Sequence, residues 1–471
     1  MSPAVLLASL YQQGVTLEIT GDLLRCRAPA GVITPALQAE IAQARDDLLR
    51  LLRAAHADQS QAASNLPCDL RQEVQQAEVI FTELSDETDA LQPEKILLTG
   101  ATGFLGTFLL NELLAQTRAR IYCLVRAQSP EKAREKIRRA FLTYELSYED
   151  LETRLVPVIG DLAQPLWGLS EQHFQELAEE IEVIYHNGAF MNLVYPYTLL
   201  KATNVFGTRQ AIQFALQSRV KPLHHISTVS VLAPATPMEH IDEHISIDDF
   251  CDNLTIGYSQ SKWVAEMLVA RARARGLPAT IYRPGLISGH SRSGACNTRD
   301  YLSRIVKGCL QLGAMPTTSY PVSLTPVDYV SRAVVALSLQ RDARKQVFHL
   351  VNPHNGTGAE MVSWIRDLGY ALREIPYAEW GRILREQTQR STENALYPLL
   401  QIFLSADPSS QQVNAFSANL GRFGCQHTVE VLEKSNIRCP PVDYQLLATY
   451  IGYFQRSGFL DLPDAFAVRS C

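Results

Sequence analysis

The chain has 471 residues, more than one hydrophobic core can serve, so two or three domains are expected. Hydrophobic residues make up 46% and charged residues 20%, with a formal net charge of −6 and no run of lysine or arginine, which argues against nucleic acid or an anionic membrane as partner. Nine cysteines without a CxxC pair suit reduced thiols, no apolar run reaches the roughly 20 residues of a membrane helix, and residues 1–14 lack the basic start of a signal peptide, so a soluble, cytoplasmic protein is expected.

In chain order, residues 1–53 predict a small αββα module. Leu6, Leu7 and Leu10 share a helical face closed by Gly14. Short strands over 15–19 and 23–27 flank the hairpin signal Gly21-Asp22. Thr34-Pro35 then reads as an N-cap and first helical residue of a helix to about Arg53, with Leu37, Ile41, Leu48 and Leu52 at helical spacing. Residues 54–68 are small and polar, a linker composition. From 69 to 471 a larger α/β region follows, with a core over about 93–290. Apolar runs at 96–98, 121–125, 155–159, 183–185, 223–226, 279–282 and 347–351 alternate with amphipathic stretches. Strands without polar alternation, separated by helices, predict a doubly wound parallel sheet of the Rossmann kind. Beyond about 290, helical segments at 360–374, 377–391 and 444–456 predict a mostly helical substrate lobe.

The first strand of this region runs into Thr99-Gly100-Ala101-Thr102-Gly103-Phe104-Leu105-Gly106, which opens a helix. Glycines three apart between a buried strand and a helix permit a tight turn, a close approach of backbone N–H groups to a diphosphate, and helix-on-strand packing. No GKS or GKT follows, so a P-loop is excluded. The second strand ends at Arg126, where an acidic residue would suit NAD and arginine suits the 2′-phosphate of NADP(H). Arg134 and Lys136 could extend that cationic site or form a solvated basic helix face. Asp161-Leu162 after the third strand and Asn187-Gly188-Ala189 after the fourth would flank the cofactor. Ser227-Thr228 closes the fifth strand, and Tyr258 and Lys262 stand four apart at the start of the next helix. On one helical face the ammonium would lower the phenol pKa and hold the cofactor ribose, while Thr228 donates to a substrate carbonyl.

The runs 99–106, 124–126, 160–162, 186–192, 196–197, 204–208, 227–228, 258–262 and Arg283-Pro284-Gly285 resemble the thioester reductase domain that ends nonribosomal peptide and polyketide synthetases, a member of the extended short-chain dehydrogenase/reductase group. The resemblance implies Thr228, Tyr258 and Lys262 as catalytic residues. It implies an NADPH site of Thr99, Gly100, Thr102, Gly103, Phe104, Leu105, Gly106, Arg126, Arg134, Lys136, Asp161, Leu162, Asn187, Gly188, Ala189, Ser227, Tyr258, Lys262, Pro284, Gly285 and Leu286. The implied reaction releases an acyl or peptidyl thioester from a phosphopantetheinylated carrier protein as an aldehyde, or onward as an alcohol. Phe190 departs from the smaller aliphatic residue usual there, and the resemblance fades after about 370. Residues 1–53 resemble the tubulysin-synthetase type of docking domain, which implies capture of the C-terminal tail of an upstream synthetase subunit. Arg25 and Arg27 suit an acidic tail added as a strand.

Other motif matches lack the partners their chemistry needs. Ser259 to Lys262 fits SxxK but has no SDN or KTG companion. His240 to His244 fits HxxEH but falls in a loop, where a solvated acidic segment is the expected reading and no metal is implied. Residues 289–294 miss GxSxG by one position, and His224 and His225 read as packing residues. Rival functions are a fatty acyl-coenzyme A or acyl-carrier reductase, a nucleotide-sugar epimerase, a non-redox cyclase and a docking scaffold with an inactive lobe. Arg126 fits the epimerase poorly, and intact Thr228, Tyr258 and Lys262 oppose the cyclase and the scaffold.

Overall fold

The computed structural model describes residues 6, 10, 15–20, 23–28, 32–49, 69–77, 79, 91–149, 151–233, 238, 240–318, 321–404 and 422–463. In the N-terminal module, β1 (Thr16–Thr20) pairs antiparallel with β2 (Leu23–Arg27). Thr34 caps the Pro35–Gln43 helix by accepting from the Leu37 amide at 3.2 Å. That helix breaks at Ala44 before resuming through residue 49, where one continuous helix to 53 is expected. Leu6, Leu10, Val15, Leu17 and Leu48 form its core, and Leu199 and Tyr195 of the α/β region complete the same apolar cluster. Leu7, Gly14, the Gly21-Asp22 turn, Leu52 and the 54–68 linker lie outside the described residues.

The seven apolar runs become the seven strands of one sheet, all parallel. They are β3 (Lys95–Thr99), β4 (Arg120–Val125), β5 (Leu155–Ile159), β6 (Val183–His186), β7 (Leu223–Ile226), β8 (Ala279–Pro284) and an edge strand Val347–Leu350. From that edge strand the order is β8, β7, β6, β3, β4, β5. Side chains along β3 alternate between two cores, with Ile96 and Leu98 on one face and Leu97 on the other, because successive residues of a strand point oppositely. Helices Phe104–Gln116 and Val327–Ser338 pack together over the first face, while Gly257–Ala274 and the segment Tyr197–Leu216 pack together over the second. Chain direction across the sheet reverses between β3 and β6, and open α/β sheets bind ligands at such a switch point.

The C-terminal lobe is mostly helical with three short two-stranded sheets. The expected 360–374 helix is Gly358–Asp367, ended at Gly369 with φ +92°, and Arg373–Ile375 instead pairs with Ala314–Pro316 as a strand. The lobe is fastened to the loop after β8 by Tyr450, whose hydroxyl donates to Gly289 O at 3.0 Å. Among the described residues no helix is long and apolar enough to cross a membrane.

Candidate active site at the carboxyl ends of the central strands

Gly100 leaves β3 at φ +75°, a left-handed conformation that favours glycine, and a Cβ there would lie 2.7 Å from Gly188 Cα. A Cβ on Gly106 would lie 1.9 Å from Gly100 O, so only glycine lets the helix lie this close to the turn. Gly103, whose amide donates to Gly100 O at 3.0 Å, precedes the Phe104–Gln116 helix, and no side chain caps that helix. Amides of the first helical turn have no partner within a helix. A glycine-floored turn beneath an uncapped helix N-terminus is the cradle a dinucleotide diphosphate requires, so these residues fit the cofactor.

The strand ends assemble around this turn through side chains. The Gly188 amide donates to Thr99 Oγ1 at 2.9 Å, which donates to His186 Nδ1 at 3.1 Å. The opposite ring nitrogen donates to Thr208 Oγ1 at 3.0 Å, which donates to Asn204 O at 2.7 Å. Burial holds His186 down to about 3, so the ring is neutral, as this relay needs. Asn187 reaches Gly100 O with Nδ2, and Leu162 packs against Gly188. Asp161 folds back on its own turn, accepting from the Ala163 amide at 3.0 Å. Arg126 is half-buried near Asp161; burial lowers its pKa and the carboxylate opposes that shift. The Lys136 ammonium donates to Arg126 O at 2.6 Å, bringing two cations together. Arg134, on the same helix, acts electrostatically on Glu131. Thr102 is exposed and Ala189 half-buried at the turn's rim. Pro284 ends β8, the Gly285 amide donates to Leu350 O, and Leu286 O accepts from the Thr325 amide, so this run joins the edge strand to the lobe.

Thr228 is half-buried; its hydroxyl accepts from the Ser230 amide and donates to Ser230 Oγ, both at 3.1 Å. Tyr258 and Tyr195 both pack against the cluster formed by Phe190 and Leu200, so the unusual Phe190 belongs to the apolar patch beside Tyr258. Lys262 donates to Ile226 O at 2.7 Å, two residues before Thr228. The expected lowering of the phenol pKa by Lys262 is not found. Burial pushes Tyr258 up to about 12, and the ammonium is engaged with the backbone carbonyl. Burial also brings Lys262 down to about 8, opposed by the charge of Glu266.

Three residues were given no role from the sequence, although Asn204 lies in the matching run 204–208. Asn204 lies in a π-helical segment, Ala202–Phe206, where the wider turn aims its amide at the 187–192 loop. It accepts from the Phe190 amide at 2.7 Å and donates to Phe190 O and to Ser261 Oγ, joining that loop to the Tyr258 helix. Gly257 admits the Tyr195–Tyr197 segment, since a Cβ would meet Tyr195 O at 2.5 Å. Glu266 is buried against Ser227, and its signal was a polar residue one turn beyond Lys262 in the otherwise apolar stretch 263–270. Ser227 is thus tied to Glu266, which joins the end of β7 to the Tyr258 helix. In the 240–244 loop His240, Asp242 and His244 are exposed, but Glu243 is 3% exposed and accepts from the Thr428 amide at 2.8 Å at the start of the Gln426–Glu433 helix. Among the described residues no cluster of three or more His, Cys, Asp or Glu could hold a metal ion.

A model of the NAD-binding family described as Male sterility protein matches residues 98–334, and that of the TubC N-terminal docking domain matches residues 4–54. The terminal R domain of the myxalamid PKS-NRPS biosynthetic pathway is 41% identical, with a TM-score of 0.75 over 84% of this chain and 100% of that one. The chain belongs to this R-domain family. A reductase (R) domain of a nonribosomal peptide synthetase from Mycobacterium tuberculosis is 25% identical, with a TM-score of 0.66 over 84% of this chain and 97% of that one. A linear gramicidin synthase of Brevibacillus parabrevis is 39% identical over 398 residues, 83% of this chain. The R-domain chain spans only 8%, 25% and 31% of three such curated relatives. It is an NAD(P)-binding domain of the extended short-chain dehydrogenase/reductase family behind a TubC-type docking domain.

Proposed function

We propose that this R domain releases a carrier-bound acyl or peptidyl thioester reductively as an aldehyde, using NADPH. The observation that carries the reading is Lys262 bonded to the carbonyl of Ile226, which brings the Tyr258 helix to the strand end bearing Thr228, two strands from the glycine turn. Arg126 with Lys136 supports NADPH over NADH, because paired cations at the end of the second strand suit a 2′-phosphate. Bound NADPH supplies the hydride to the carbonyl carbon. Thr228 and Tyr258 hydrogen-bond the carbonyl oxygen, Tyr258 gives it a proton, and Lys262 holds the ribose. The resulting hemithioacetal breaks its C–S bond to give the aldehyde and the free thiol. The TubC-type module, with Arg25 exposed on β2, supports docking to the C-terminal tail of an upstream synthetase subunit.

The test is NADPH oxidation with carrier-bound and coenzyme A thioesters, wild type beside Tyr258→Phe. The expected result is turnover of the carrier-bound thioester and a loss of about 100-fold or more in kcat for the variant, with NADPH affinity nearly unchanged. Tight NADPH binding without oxidation by any thioester sinks the proposal. A preference for free coenzyme A thioesters would instead indicate an acyl-coenzyme A reductase.

A further inference from the structure

A fully buried charged network runs from the candidate catalytic strand end to the C-terminal lobe. Ser227 Oγ donates to Glu266 Oε2, and Arg283 on β8 donates to Glu266 Oε1 from Nε at 3.0 Å and Nη2 at 2.6 Å. Arg283 Nη1 donates to His349 Nε2 at 3.2 Å, and His349 Nδ1 donates to Gly424 O at 2.8 Å. Glu266 is 1% exposed and Arg283 3%. Burying an ion pair costs desolvation that its attraction barely offsets, and apolar replacements are often as stable. Stability alone is therefore a weak reason for these charges.

Their position gives a better one. Glu266 follows Lys262 by one helical turn and touches Ser227, the residue before Thr228. The same carboxylate thus fastens the strand end bearing Thr228 onto the helix bearing Tyr258 and Lys262, and it places a negative charge beside a buried ammonium. We propose that Glu266 is a positioning residue for the reductase reaction, setting Thr228 by its bond to Ser227 and setting its carboxylate one helical turn from Lys262, with Arg283 and His349 anchoring it to the lobe. The inference rests on the proposed reductase reading.

The groups facing Lys262 are His186 from β6, His225 from β7, and Tyr258 and Glu266 from its own helix. Both histidines are held neutral by burial, so neither supplies charge to the ammonium. Facing Glu266 are Ser227, Arg283 and, on its own helix, Arg273 and Lys262. Lys262 is brought down to about 8 by burial, and Glu266 opposes that shift. Removing the negative charge moves Lys262 further down, so the protonated form that holds the ribose is lost at a lower pH.

The experiment follows kcat/KM against pH for wild type, Glu266→Gln and Ser227→Ala, together with NADPH dissociation constants by fluorescence at pH 6.5 and 8.5. In Glu266→Gln the alkaline fall of kcat/KM moves down by about one pH unit, and NADPH affinity weakens several-fold more at the higher pH. In Ser227→Ala, which keeps the ion pair, the alkaline limb stays in place and kcat falls about 10-fold. If Glu266→Gln does not fold, Glu266→Gln with Arg283→Met removes both buried charges and carries the same expectation for the limb. A limb that superimposes on wild type when the carboxylate is removed overturns the proposal, as does an unchanged kcat in Ser227→Ala. Should the wild type reduce no thioester, the reductase reading fails by itself, while the pH dependence of NADPH binding still reports whether Glu266 governs Lys262.

Discussion

At the scale of single residues, burial rather than charge pairing sets the titration behaviour of the core. His186, His224 and His349 are held down to about 3 and His225 is also pushed well down, chiefly by desolvation. An exposed histidine titrates near 6.5, so between about 3 and 6.5 the unfolded chain binds protons that the folded one refuses. Stability contributed by these rings is present above about pH 6.5 and is lost as the pH falls toward 3, at up to about 1.4 kcal/mol per pH unit for each ring. Asp300, pushed up to about 6 by burial, acts oppositely between 3.8 and 6, and Glu112, also raised by burial, acts in the same sense, but these are two carboxyls against four rings. Urea midpoints measured at pH 7.5, 6 and 5 are expected to fall steeply below 6.5. A flat series would show that the rings can charge in place.

At the scale of elements, the glycine turn makes the sharpest demand. A Gly106→Ala methyl would lie 1.9 Å from Gly100 O, and the contact is with backbone, which has no rotamer to yield. The helix must move outward and its first-turn amides leave the diphosphate. The expected loss is about 10-fold or more in NADPH affinity with about 1–3 kcal/mol in stability, read by fluorescence titration and urea unfolding. Unchanged affinity would mean that the first turn does not carry the diphosphate. Much of this element was legible in sequence, because strand, glycines and helix are contiguous and each glycine has a local steric reason. The partners of the turn were legible only as candidates. Asn187 and Gly188 belong to another strand end, and nothing local shows that Thr99 receives the Gly188 amide.

At the scale of the whole molecule, the N-terminal module and the reductase body share the apolar cluster that contains Leu199 and Tyr195. Arg25 is exposed on β2, away from that cluster. If the hairpin receives an acidic tail, Arg25→Glu raises KM for a carrier protein bearing its native C-terminal tail by about 10-fold, since a like charge then faces the tail. Turnover of a coenzyme A thioester, which needs no docking, is expected to stay at the wild-type rate. Equal KM values for the tailed carrier in both proteins would remove the hairpin from the docking route.

The sequence by itself determined the seven strands, the parallel sheet they form and the cofactor turn, because apolar runs of strand length, helical spacing and glycine sterics act over a few residues. It also brought out Thr228, Tyr258 and Lys262 by their place at a strand end and a helix start. Tertiary structure alone decided their electrostatics. Spacing put an ammonium near a phenol, yet Lys262 bonds to Ile226 O and Tyr258 is pushed up to about 12, because desolvation depends on everything packed around a group. The same holds for Glu243 and Glu266, polar residues whose burial and partners come from segments up to 185 positions away. Local pattern sets where elements form; which polar groups lose water is a property of the assembled core.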